Sequence, residues 1–222
     1  MTLKTMGQRA LVRSRRRFAL VRALREEPSP GTTMVAIGDS FVSGEPFLTS
    51  ADTFVPIVAE RMGMNLAFMD GQGGTGYIRD AHGRADTFAH RLPDLAAFHA
   101  DLLLISGGYN DTWEMRKRGA HDEALTAATK TLELARTVAR TVLVIGPIWP
   151  RAEAVPTEAV DLADHIRACC ARLGLGFVDS LHAFDATDRT TAIDADGTHP
   201  TRAGHAHVAA HVLANCGVSD AH

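Results

Sequence analysis

The sequence predicts an α/β protein in which a parallel sheet carries helices on both faces. Apolar runs of four to six residues alternate along the chain with amphipathic stretches of ten residues or more, a pattern typical of strand-helix-strand units. The runs are apolar almost throughout, which is expected of parallel strands buried on both sides. A chain of 222 residues suits one such domain with a single core.

Each predicted strand is a short apolar run that ends at a turn signal, and the clearest of them reads Asp-Leu-Leu-Leu-Ile. Five such runs cover residues 34–37, 65–69, 101–105, 141–145 and 176–179. Helices are predicted where apolar residues recur three or four positions apart, over residues 52–62, 123–139, 157–173 and 201–214. Residues 71–91 lack this periodicity, so we expect a long loop there with room for one short helix.

The composition excludes several classes of protein. Hydrophobic residues make up 45% of the chain and charged residues 22%, close to the globular average, which argues against disorder. No apolar run approaches the length that crosses a bilayer, and a net charge of −3 does not indicate a nucleic-acid partner. The three cysteines, Cys169, Cys170 and Cys216, have neither disulfide nor zinc-site spacing. We therefore expect reduced thiols, no metal and a cytoplasmic location.

The first 33 residues differ from the rest in charge. Residues 1–27 hold eight basic side chains against two acidic ones, so the remainder is acidic. The segment 14–20 is superficially like a twin-arginine export signal, but charges interrupt the apolar stretch that should follow, and no cleavage site is present. We expect residues 1–33 to form a basic, helical extension and residues 34–222 to form the folded domain.

The extension is expected to be an amphipathic helix with a solvated basic face. Its apolar side chains are predicted to pack partly on the domain: Leu11, Phe18, Leu20, Val21 and Leu24. A weak anchor for an acidic partner or a membrane surface is the alternative interpretation.

Polar or glycine-rich segments follow four of the predicted strands. Ser40 follows the first strand, a glycine cluster at 71–74 the second, and Asn110 the third, while Asp196 and His199 lie on the loop after the fifth. Because ligands of open parallel sheets bind beyond the carboxyl ends of the strands, we expect these groups to meet at one rim.

Three of these side chains suit ester cleavage. Ser40 can attack a carbonyl carbon, and His199 can take its proton and return it to the leaving alcohol. Asp196, three residues before His199, can orient the imidazole. The sequence therefore predicts Ser40, His199 and Asp196 as the catalytic residues.

The oxyanion formed by such an attack needs hydrogen-bond donors. The backbone N–H of Ser40, the side-chain amide of Asn110 and the N–H of Gly74, with Gly73 as the second choice, can supply them. A glycine suits this position because the backbone must approach the substrate closely. The candidate substrate-binding residues adjoin the same rim: Tyr109, Trp149 and Gly73.

On these motifs the chain resembles the SGNH hydrolases of the GDSL type. Four blocks match: Gly38-Asp39-Ser40 (with Phe41 where leucine often stands), Gly74, Gly108-x-Asn110-Asp111 and Asp196-x-x-His199-Pro200. The resemblance covers residues 34–214. It implies a flavodoxin-like three-layer α/β/α sandwich, no cofactor and hydrolysis of acyl or acetyl esters, with thioesters and some amides as substrates of other members.

We therefore expect a serine ester hydrolase that cleaves short-chain acyl or acetyl esters through an acyl-enzyme, with a small-molecule or sugar ester as its substrate. Two alternatives stay open: acyl transfer to an acceptor other than water, and a non-catalytic carbohydrate- or partner-binding module on the same fold. The chain has no Gly-x-Ser-x-Gly elbow, which disfavours the α/β-hydrolase arrangement.

Two further patterns carry less weight. Gly71-x-Gly73-x-x-Gly76 matches the dinucleotide fingerprint, but it follows the second strand rather than the first and no apolar helix opens after it. His207 and His211, four residues apart, could hold a metal, but no third ligand stands at suitable spacing. We expect them to form a polar helix face.

Overall fold

The computed structural model describes residues 3–24, 31–185 and 189–217. The strands of the sheet are β1 (Thr33–Gly38), β2 (Asn65–Gly71), β3 (Leu102–Ser106), β4 (Thr141–Ile145) and β5 (Gly176–Val178). The α-helices are α1 (Leu3–Ala23), α2 (Ser40–Ser43), α3 (Phe54–Arg61), α4 (Phe88–Leu95), α5 (Tyr109–Arg118), α6 (His121–Ala135), α7 (Thr157–Leu173), α8 (Arg189–Ala192) and α9 (Arg202–Asn215). Among the described helices, none combines the length and the hydropathy that crossing a bilayer requires. The predicted boundary between residues 33 and 34 follows residues 25–30, which lie outside the described residues.

The sheet is entirely parallel and its strands lie in the order β2-β1-β3-β4-β5. This is the strand order of flavodoxin-like, doubly wound folds. Helices α3, α8 and α9 pack on one face of the sheet, and α4, α6 and α7 pack on the other. The predicted fold class, a three-layer α/β/α sandwich around a five-stranded parallel sheet, is confirmed.

The side chains of each strand alternate between the two apolar layers. In β1, Met34 and Ala36 join the core beneath α3 and α9, whereas Val35 and Ile37 join the core beneath α4, α6 and α7. All four are fully buried. Burial on both faces explains why the strands read as continuous apolar runs rather than as an alternating pattern.

The predicted strands agree with the observed ones to within two residues at either end. Helix α7 has the predicted bounds, and α3, α6 and α9 overlap their predictions. The prediction missed α5, because its sequence, Tyr-Asn-Asp-Thr-Trp-Glu-Met-Arg-Lys-Arg, is too polar to show a hydrophobic repeat. The glycine-rich stretch after β2 is a loop, and α4 begins only at Phe88.

Helix α1 is held against the domain by its arginines. Arg9 and Arg13 both donate to the carboxylate of Asp86 at 2.7 Å, and Arg16 donates to Asp70 at 2.7 Å. Positions 9, 13 and 16 share one side of the helix because they are three or four residues apart. The guanidinium groups hold the pKa of Asp86 well below its usual value, against the opposing effect of burial.

The apolar side chains of α1 do not dock as the sequence predicted. Of the five named above, only Leu20 is buried, at 9% exposure, whereas Phe18 is 74% exposed. Leu11, Val21 and Leu24 are also largely exposed. The prediction that these residues pack partly on the domain is therefore wrong for all but Leu20, and ion pairs from Arg9, Arg13 and Arg16 hold the helix to the domain.

Candidate active site

The ends of neighbouring strands bring the predicted site together. Ser40 opens α2 directly after β1, and Asn110 is the second residue of α5 after β3. The chain runs from β1 to the edge strand β2 and then crosses to β3, so the winding reverses between β1 and β3. Open α/β sheets bind ligands at this position. Asp196 and His199 reach the same rim from the loop between α8 and α9.

Ser40, His199 and Asp196 form a continuous hydrogen-bonded chain. The Oγ of Ser40 lies 3.0 Å from Nε2 of His199, and Nδ1 of His199 lies 2.5 Å from Oδ2 of Asp196. The serine is 9% exposed, and the side chain of His199 is 22% exposed. The site is thus reachable by a substrate while most of the serine is shielded from bulk water.

The carboxylate of Asp196 decides which nitrogen of His199 carries the proton. A carboxylate can only accept, so Nδ1 donates to it and Nε2 keeps a lone pair facing Ser40. Burial raises the pKa of Asp196, but hydrogen bonds from the backbone N–H groups of Thr198 and His199 and from the imidazole outweigh it, and the pKa lies below its usual value. Asp196 is therefore ionised at neutral pH, which stabilises a protonated imidazole.

Two residues that line the cleft have backbone N–H groups without a hydrogen-bond partner in the described part of the chain. Within the described residues, the N–H groups of Ser40 and Gly74 make no hydrogen bond, although both residues line the cleft. Gly73, by contrast, donates to Oε2 of Glu45 at 3.3 Å. Gly74 has a φ of +74°, a conformation that side chains rarely adopt. Its free N–H favours Gly74 over Gly73 as an oxyanion donor.

The amide of Asn110 is held in place by two acceptors. Its Nδ2 donates to the backbone oxygen of Thr75 at 3.0 Å and to Oδ2 of Asp39 at 3.3 Å. The second bond is long and therefore weak. An oxyanion in the cleft can replace Asp39 as the acceptor while Thr75 keeps the amide oriented.

Two buried charged side chains that the sequence reasoning did not assign support this loop. Asp111 accepts from the N–H groups of residues 77–79 at 2.9 to 3.1 Å. Arg91 is fully buried and donates to Oγ1 of Thr75 and to the backbone oxygen of Gly38, both at 3.0 Å. Asp111 stands in the Asn-Asp motif and could have been found there. No local pattern marks Arg91, because its partners are distant in the chain.

Asp39 is a buried acid beside the site, and burial raises its pKa to about 7, against the opposing hydrogen bond from the N–H of Phe41. Between its unfolded pKa of about 4 and about 7, the native carboxyl holds a proton that the unfolded chain has lost. This group therefore lowers the free energy of unfolding as the pH rises through that window.

Asp39→Asn removes this pH dependence, because an amide cannot ionise. As the pH rises from about 4 to about 7, we expect the free energy of unfolding to fall less in the variant than in the wild type. Urea unfolding across that pH range measures the free energy of unfolding of both proteins. An identical pH dependence in the two would contradict a raised pKa of Asp39.

The predicted substrate-binding residues occupy different places. Tyr109 and Gly73 line a cleft of about 750 Å³ that also contains Ser40 and His199. Trp149 is 3% exposed and is not among the lining residues. Its ring packs 5.4 Å from that of Tyr109, and its Nε1 donates to the backbone oxygen of Glu153. Trp149 thus supports Tyr109 from behind.

The two remaining patterns have packing explanations. A Cβ on Gly71 would lie 2.4 Å from the backbone of Ser43, and a Cβ on Gly76 would lie 2.1 Å from the carboxylate of Asp111. These glycines therefore permit close approach of neighbouring groups. On α9, His207 and His211 each face a backbone oxygen, that of Ala183 at 2.5 Å and that of Asp179 at 2.7 Å.

Comparison with known families finds one match that spans most of the chain. A family model described as the GDSL-like Lipase/Acylhydrolase family matches residues 36–207. A curated relative, a GDSL lipase of Mycobacterium tuberculosis, is 40% identical over 81 residues. That match covers 36% of this chain and 35% of the relative, so the chain spans about a third of the relative's length.

Solved structures share the fold. An acetylxylan esterase from Geobacillus stearothermophilus has a TM-score of 0.67 at 18% identity, with 86% of this chain and 97% of that chain covered. An α/β hydrolase from the metagenome of Lake Arreo, Spain, has a TM-score of 0.66 at 20% identity, with 86% and 97% covered. Other structures of the acetylxylan esterase are catalytic mutants in which a serine, an aspartate or a histidine is replaced.

Proposed function

The chain belongs to the GDSL-like Lipase/Acylhydrolase family, and from this premise we propose that it is a serine ester hydrolase with Ser40, His199 and Asp196 as its catalytic residues. One observation supports this most directly: Oγ of Ser40 lies 3.0 Å from Nε2 of His199, whose other nitrogen lies 2.5 Å from Asp196. Distances of this size permit proton transfer from the hydroxyl to the imidazole without rearrangement.

In the first half of the reaction, Oγ of Ser40 bonds to the carbonyl carbon of the ester while its proton passes to Nε2 of His199. The carbonyl oxygen becomes negative and receives hydrogen bonds from the N–H groups of Ser40 and Gly74 and from Nδ2 of Asn110. The bond to the leaving oxygen then breaks. His199 gives its proton to that oxygen, the alcohol departs, and the acyl group stays on Ser40.

In the second half, water takes the place of the alcohol. His199 accepts a proton from the water as its oxygen attacks the acyl carbon, and the same three donors hold the new oxyanion. When the bond to Oγ breaks, His199 returns the proton to Ser40 and the carboxylic acid is released. Asp196 stabilises the charged imidazole in both halves.

Short-chain acyl or acetyl esters of small molecules or sugars are the proposed substrates. An acetylxylan esterase of the same fold is a precedent for acetyl groups. The chain itself has an aromatic content of only 6%, which does not suggest a platform for long polysaccharides. Tyr109 lines the cleft together with Ser40, with its hydroxyl 3.4 Å from Oγ1 of Thr198, and the bulk of its ring favours a small acyl group.

A fluorophosphonate probe tests the proposal directly, because it forms a covalent bond only with an activated hydroxyl. We expect the wild type to be labelled at Ser40 and Ser40→Ala to remain unlabelled. Ser43→Ala is the matched control, since Ser43 ends the same short helix and lies outside the catalytic group; it should be labelled like the wild type. Equal labelling of Ser40→Ala would exclude Ser40 as the nucleophile, whereas no labelling of the wild type would favour a non-catalytic module.

A further inference from the structure

The N-terminal helix α1 forms one wall of the cleft that contains Ser40. The cleft extends from Ser40 and His199 past Gly73 to α1, which contributes Leu11 and Val12 among its lining residues. The family match begins only at residue 36. Helix α1 is thus an addition to the part of the chain that the family model describes, and its position at the site calls for a functional explanation.

The wall is fixed in place by ion pairs at both ends of the helix segment that lines the cleft. Oδ1 of Asp86 accepts hydrogen bonds from the guanidinium groups of Arg9 and Arg13, both at 2.7 Å. Arg16 joins Asp70 at 2.7 Å and donates to the backbone oxygen of Arg91 at 2.8 Å. Several charge-assisted bonds of this length, on carboxylates that are at most 11% exposed, hold a helix more firmly than single surface pairs.

Apolar side chains of α1 and of β2 line the cleft beside polar ones. Leu11, 52% exposed, and the half-buried Val12 belong to α1, while Phe68 and Met69, both half-buried, belong to β2 and line the same cleft. Exposed apolar side chains that share one cleft usually mark a place where an apolar group binds. Arg15 and Arg84 also line the cleft and form no ion pair within the described residues. Glu45 also lines the cleft, and its carboxylate accepts from the N–H of Gly73. Two guanidinium groups against one such carboxylate leave the cleft positive, which disfavours a cationic ligand.

We propose that the groove between α1 and β2 binds the alcohol part of the ester and that this part carries an uncharged or anionic apolar segment. This inference rests on the proposed function. His199 must protonate the leaving oxygen, so that oxygen lies within reach of Nε2 of His199, which lines the same cleft as the groove. A short acyl group fills only the space next to Ser40, which leaves the groove to the alcohol.

Substitution of the wall by a larger side chain tests the groove. We expect Val12→Trp to lower the ratio of kcat/KM for hexyl acetate to that for methyl acetate by about 10-fold or more, because the indole fills the groove and obstructs only the longer alcohol. Val21→Trp is the matched control: it lies on the same helix, is 40% exposed and does not line the cleft, so it should leave the ratio unchanged. If Val12→Trp fails to fold, Leu11→Trp with Leu24→Trp as its control makes the same comparison.

Two results would overturn the inference. Equal ratios in Val12→Trp and Val21→Trp would show that α1 does not contact the alcohol. A changed preference between p-nitrophenyl hexanoate and p-nitrophenyl acetate, with the alcohol ratio unchanged, would place the acyl part in the groove. If the wild type cleaves no ester, the proposed function fails, and the groove is then tested by binding of octan-1-ol to the wild type and to Val12→Trp. Equal binding of octan-1-ol to the two proteins would exclude the groove as its binding site.

Discussion

Replacing either Ser40 or His199 by alanine is expected to lower kcat/KM for p-nitrophenyl acetate by about 10³-fold or more. Without Oγ no acyl-enzyme forms, and without the imidazole the hydroxyl keeps its proton. Because the two groups lie 3.0 Å apart and are proposed to act as one unit, the double variant should be about as slow as either single variant.

Initial rates of the purified variants measure this effect. His182→Ala is a suitable control, since its side chain is 65% exposed and pairs with Asp185 rather than with the site; its rate should match that of the wild type. Additive losses in the double variant would show that Ser40 and His199 act in separate steps. Unchanged hydrolysis by Ser40→Ala would refute the mechanism.

Asn110→Ala is expected to lower kcat by about 10²- to 10³-fold with little change in KM, because its amide meets the charge that develops in the transition state. The present partners of Nδ2 are Thr75 at 3.0 Å and Asp39 at 3.3 Å. The substitution removes a donor from the cleft and leaves the backbone oxygen of Thr75 without this partner, so a loss of stability accompanies the loss of rate.

Steady-state kinetics and urea unfolding separate the two effects. Asn215→Ala, at the end of α9 and remote from the cleft, should change neither kcat nor KM. A rise in KM with kcat unchanged would mean that Asn110 binds the ground state rather than the oxyanion. In that event Ser40 and Gly74 would be the remaining candidate donors.

The fold and the rim of the site could be predicted because both depend on local features. Buried parallel strands are recognisable in the sequence as continuous apolar runs. Ser40 lies just after the first of these runs, and Asn110 lies just after the third. The pair Asp196 and His199 lies within four residues, so its geometry is set by one loop. For these residues, position along the chain is enough to predict position at the sheet.

Residues whose partners are distant in sequence could not be predicted. Arg16 and Asp70 are 54 positions apart, and the spacing of the arginines in α1 is the same for a docked face as for a solvated one. Arg91 is similar: an isolated arginine in a short helix gives no sign that it will be fully buried under β1 and β2. The role of α1 as a cleft wall follows only from these non-local pairs.

The loop that carries His199 is held in shape by hydrogen bonds among its own residues. Oδ1 of Asp196 accepts from the N–H groups of Thr198 and His199 while Oδ2 meets the imidazole, and a bridge between Ile193 and Pro200 closes the base of the loop. These bonds fix the orientation of the imidazole within the loop, so the position of the whole loop on the sheet sets the distance of 3.0 Å between Nε2 and the serine oxygen. A substitution that shifts this loop should therefore change the alignment of base and nucleophile without touching either side chain.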